Sequence, residues 1–74
     1  MRSAEDPIAQ ARRHVAEAQD HIARQEALVI RLSSDLRDAA LAAEAQEILH
    51  TLKHTLSLAR QHLDLELKNQ PTAR

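Results

Sequence analysis

Two amphipathic helical patterns run through this chain, and they are out of phase with each other. From Ile8 the apolar positions step by three and four through Ala11, Val15, Ala18, Ile22, Gln25, Val29, Leu32 and Leu36. This is a heptad seam in which Gln25 is the one polar member. A second seam runs through Ala42, Ala45, Leu49, Leu52, Leu56, Ala59 and Leu63, and ends on Glu66. Carried forward, the first seam would put Ala43, His50, Ser57 and Asp64 in the core. The second seam is therefore displaced by one residue, about 100° of rotation. A single helix of about 90 Å would have to change its buried face abruptly. A reversal between the two patterns removes the conflict.

The reversal falls at Ser33-Ser34-Asp35-Leu36-Arg37-Asp38. Folding the chain about Arg37 sets Val15 against Ala59, Ala18 against Leu56, Ile22 against Leu52, Val29 against Ala45 and Leu32 against Ala42. Most layers oppose a large residue to a small one, which keeps an antiparallel pair close and evenly filled. The expected fold is all-α: an antiparallel two-helix coiled-coil hairpin forming a single domain over residues 1–74. Helix one is expected over about 7–34, the turn over about 34–38 and helix two over about 38–69.

Asp6-Pro7 is a helix start, because Asp6 can cap free N–H groups and Pro7 suits the first helical position. Ser3 with Asp6 offers a start one turn sooner, and residues 1–5 otherwise read as a loose end. Asp38 is expected to cap the second helix, and Asn69 and Pro71 to end it. The chain has no Gly, so either Ser34, Asp35 or Leu36 takes the left-handed conformation that often closes a helix, at some strain, or the loop is longer.

The two sides of the seam differ in chemistry. One carries Arg12, Gln19, Glu26 and Ser33, with Gln46, Lys53 and Arg60, and Glu26 can meet Lys53 across the hairpin. The other carries His14, His21, Leu28, Leu41, Ile48, Thr55 and His62, widened by Leu58 and Leu65. Two helices cannot bury the seam and this second flank together, so the flank reads as an interface. A second hairpin, completing a four-helix bundle as a two-fold homodimer, is the economical cover. Burying about six large aliphatic side chains per subunit is worth on the order of 10 kcal/mol before association costs. An unidentified helical protein supplying the other helices is the alternative partner.

At 74 residues the core is modest, and without cysteine neither disulfides nor thiolate metal sites can reinforce it. The absence of aromatic residues removes stacking platforms for single-stranded nucleic acid, and a net charge of −1 without a basic run argues against binding DNA or RNA. No apolar run approaches the roughly 20 residues that span a bilayer, and Met1–Asp6 lacks a signal-peptide core. A cytoplasmic protein with no nucleic-acid or membrane partner is expected.

Histidine is the only side chain that invites a chemical reading. His50 and His54 have the i, i+4 spacing of a helical metal site, and Glu47-x-x-His50 resembles half of a bundle di-iron motif. The seam turns them outward, away from any third ligand on the first helix. His14, His21 and His62 lie on the apolar flank, with His14 and His62 close at the open end. They are weak metal candidates, or groups that protonate near about pH 6 and repel inside an interface. The plainer reading is that they border the interface and hydrogen-bond to neighbours or water. Gln25, opposite Leu49, either fixes the register or reaches round to solvent. Ser33, Ser34 and Ser57 lack a His and carboxylate arrangement, and without Gly there is no phosphate-cradling loop. Neither catalytic nor cofactor-binding residues are expected. A non-enzymatic interaction or scaffold module is the leading functional expectation, with a metal- or pH-responsive bundle acting through the flank histidines as the alternative.

The stretch His14-Val15-Ala16-Glu17-Ala18, followed by His21-Ile22-Ala23-Arg24-Gln25 and Leu28, resembles a group of short, uncharacterised bacterial helical-hairpin proteins. The resemblance covers roughly residues 14–65, through Thr55-Leu56 and His62. It implies a small helical hairpin and no particular activity. The group's turn often holds Asp-Gly where this chain has Asp35-Leu36, so the turn is expected to depart from that pattern.

Overall fold

The computed structural model describes residues 6–69. Two helices, α1 (Pro7–Ser33) and α2 (Ala39–Lys68), pack against each other as a hairpin, joined through a short 3-10 turn at Leu36–Asp38. The fold is all-α, and no described residue forms a strand. No helix among the described residues is long and apolar enough to cross a membrane.

α1 starts where the sequence places it. The Asp6 backbone is extended, and its Oδ1 accepts a hydrogen bond of 2.7 Å from the Ala9 N–H, with Pro7 at the first helical position. The alternative start at Ser3 and the stop at Pro71 lie outside the described residues. At the far end of α2, the Asn69 N–H donates to the Leu65 carbonyl at 2.9 Å.

The turn differs from expectation in three ways. First, no described residue has positive φ, so the chain reverses without a left-handed residue. Ser34 stays right-handed (φ −83°, ψ −4°) and its hydroxyl donates to the Arg31 carbonyl at 2.7 Å, satisfying one of the helix's last acceptors. Asp35 then swings into the extended region (φ −129°, ψ 119°), which any residue adopts. Second, Asp38 stands at the head of α2 but its carboxylate makes no capping bond. Its backbone is already near-helical and its N–H donates to the Asp35 carbonyl at 2.9 Å. The capping carboxylate belongs to Asp35, the residue with extended backbone, and accepts from the Arg37 N–H at 3.0 Å. Third, Leu36 leaves the seam and is 92% exposed. α1 stops at Ser33, so the heptad phase no longer governs the position Leu36 takes.

Inside the hairpin the buried residues are Ala11, Ala18, Val29, Ala45 and Leu49, all seam members. Val29, Ala45 and Leu49 form one cluster, with Ile22, Leu28 and Leu32 packed on it. The opposition of Val29 to Ala45 is thus present. Gln25 is half-buried, and its Nε2 donates to the Ala45 carbonyl at 2.9 Å. That carbonyl lies one helical turn before Leu49, the residue expected opposite Gln25. No large side chain among the described residues is fully buried. Two helices enclose a seam from two directions only, and the rest of each large side chain stays open.

Candidate interaction surface

The polar side of the hairpin is as the heptad pattern places it. Arg12, Gln19, Glu26, Ser33, Gln46, Lys53 and Arg60 are all exposed. Lys53 Nζ lies 3.9 Å from Glu26 Oε2, with both side chains about half in solvent, so the pair contributes little. Leu67, one heptad beyond Arg60, lines a cleft with Ile8 and Arg12 at the open end. Sequence reasoning passed over it, although the seven-residue spacing from Arg60 was the available signal.

The opposite side exposes large aliphatic groups in a row. Leu41 is 53%, Ile48 53%, Leu58 51% and Leu65 57% exposed. Their helical spacing places them together on α2, on the flank expected to be apolar. Leu28 alone among the aliphatic flank residues is drawn inward, against the Val29, Ala45 and Leu49 cluster.

Toward the open end this flank becomes a shallow groove. His14, Glu17, Ala18 and His21 line it from α1, and Thr55, Leu58, Ala59 and His62 line it from α2. The structure therefore brings the three flank histidines to one place, with His14 and His62 on opposite walls. His62 Nε2 lies 3.5 Å from Glu66 Oε2, one turn further along α2. His50, His54 and Glu47 are exposed on the outer face, as their positions in the repeat require. Within one chain, no three His, Asp or Glu side chains among the described residues are grouped closely enough to hold a metal ion.

At the turn, Arg37 Nη2 lies 3.1 Å from Asp35 Oδ2. The side-chain hydrogen bond from Arg37, and secondly the bond from its backbone N–H, hold the Asp35 carboxyl below its ordinary value of 3.8. This pair shapes the turn and stands away from the groove.

No family model, curated protein or solved structure matches the chain. The functional reading therefore rests on the geometry of the two flanks.

Proposed function

We propose that this chain is a non-enzymatic interaction module that pairs with a second copy of itself through the apolar flank, giving a four-helix bundle. The observation that carries the reading is the row Leu41, Ile48, Leu58 and Leu65, each half in solvent on one side of the hairpin. Exposed aliphatic rows at helical spacing mark association surfaces. The open seam supports the same conclusion, because two further helices would cover side chains that α1 and α2 leave partly bare. A second copy suits the flank because a two-fold axis makes one surface complementary to itself. Charge supports it as well. Arg31 lies three residues beyond Leu28, and Glu44 three beyond Leu41, so each borders the flank at the turn end of its helix. Neither has an ion-pair partner among the described residues, and a second copy can supply one to each.

The test is solution molar mass by light scattering over a wide range of protein concentration. The expected result is a dimer, which Ile48→Glu converts to a helical monomer. A wild-type chain that stays monomeric at high concentration overturns self-pairing and leaves the flank to a different helical protein.

A further inference from the structure

The flank is graded along its length. Aliphatic groups, Leu28, Leu41, Ile48, Leu58 and Leu65, run its whole length, whereas imidazole is confined toward the open end, with His14, His21 and His62 round one groove. The charged border is graded too, with Arg31 and Glu44 at matched distances from the turn. A two-fold axis running along the bundle sets α1 beside α2 of the second copy, with both turns at one end. Arg31 then stands level with Glu44 of the second copy, and the two histidine ends meet each other. A two-fold axis across the bundle would lay the histidine end of each copy on the turn end of the other. It would also carry Arg31 away from Glu44. The match of Arg31 to Glu44 selects the first arrangement.

That arrangement gathers His14 and His62 of both copies into one layer. We infer that these four imidazoles form a site for a divalent transition-metal ion of the zinc type, incomplete in a single chain; the inference rests on the dimer reading above. Each copy supplies two ligands from opposite walls of the groove, and two copies supply the four that tetrahedral zinc takes. Glu66 gives a second, independent indication. Its carboxylate lies 3.5 Å from His62 Nε2, which leaves Nδ1 of that ring as the ligand atom. A carboxylate on the far nitrogen fixes the ring's orientation, as at many histidine metal sites. Leu58, Ala18 and Ala59 give the groove apolar walls. His14 and His62 are exposed, so replacing either leaves the hairpin's core intact.

The experiment combines zinc titration against a chromogenic chelator with light scattering of the full chain at neutral pH. The expected result is one zinc per two chains, with the dimer persisting to lower protein concentration when zinc is present. His14→Ala and His62→Ala should each weaken zinc binding by at least about tenfold, and the paired change His50→Ala with His54→Ala should not alter it. A dimer that binds no zinc, that takes one zinc per chain, or that loses zinc with the His50 and His54 changes overturns the site and leaves the dimer standing. A chain that is monomeric with and without zinc overturns both.

Discussion

Truncating Ile48 to alanine should weaken the proposed dimer by about 30-fold, and the size of that effect follows from the exposure of this side chain. Ile48 is 53% exposed in the hairpin, so roughly half of its burial remains to be gained on association. Full burial of an isoleucine side chain is worth about 1.5–3 kcal/mol, which leaves about 1 kcal/mol per chain. A two-fold interface contains the residue twice, so the loss is about 2 kcal/mol for the pair. At about 1.4 kcal/mol per factor of ten, the dissociation constant should rise about 30-fold. Sedimentation equilibrium across a dilution series measures this directly, with far-UV circular dichroism to show that the helices persist. Ile30→Ala is the matched control. Ile30 is 71% exposed, but it lies one turn beyond Glu26 on the polar side of the hairpin. Its truncation should leave the dissociation constant within about twofold, the range of an uninvolved surface change. Equal weakening by both substitutions, or none by Ile48→Ala, would refute the assignment of the interface to this flank.

Three other outcomes test the hairpin itself. Arg37→Ala should raise the Asp35 carboxyl pKa back toward 3.8, read by NMR titration of the side chain. Because the folded value is depressed, the stabilisation from this pair is complete above 3.8 and is lost as pH falls through the lowered value; Arg37→Ala should therefore flatten the acid limb of thermal stability, and an unchanged limb would count against the pair. Gln25→Leu should shift stability by no more than about 1 kcal/mol, since the Ala45 carbonyl keeps its in-helix donor; a larger loss in urea unfolding would show that the cross-helix bond carries more than a typical hydrogen bond. Asp6→Ala should cost about 1 kcal/mol and speed amide exchange at Ala9, with Asp6→Ser restoring both; unaltered exchange would remove the capping role.

The sequence reveals the seam because a repeat of three and four is a statement about which side of a helix each residue takes. Ala11, Ala18, Val29, Ala45 and Leu49 are buried for that reason, and the half-exposed row on α2 follows from the same arithmetic. The turn is less legible. Ser34, Asp35 and Asp38 are all good capping residues, and which one caps depends on backbone angles that composition does not specify. Leu36 keeps the spacing of the seam but falls past the helix end, in the stretch expected to turn, so the spacing alone does not bury it. Gln25 found a carbonyl one turn from its expected neighbour because its long side chain spans that distance. The groove joining His14, His21 and His62 was foreseeable from pairing. The carboxylate of Glu66 beside His62 was not, since the seam pattern counted Glu66 only as a polar end.

The reversal at Asp35 bears on whether two copies of this chain would exchange parts. Asp35 is extended, whereas Ser34, the 3-10 segment and Ala39 hold right-handed or near-helical angles. Rotating that one residue opens the hairpin, and the freed α2 meets identical seam residues on the α1 of a neighbour. The layers joining Val29 to Ala45 are the same within one chain or between two. The closed form is favoured by effective concentration, because a short tether holds α2 beside its own α1 more densely than solution supplies a stranger. Lengthening the turn keeps that tether loose and closed. Shortening it toward a continuous helix would favour domain-swapped pairs joined through the seam, whose assembly would not depend on Ile48.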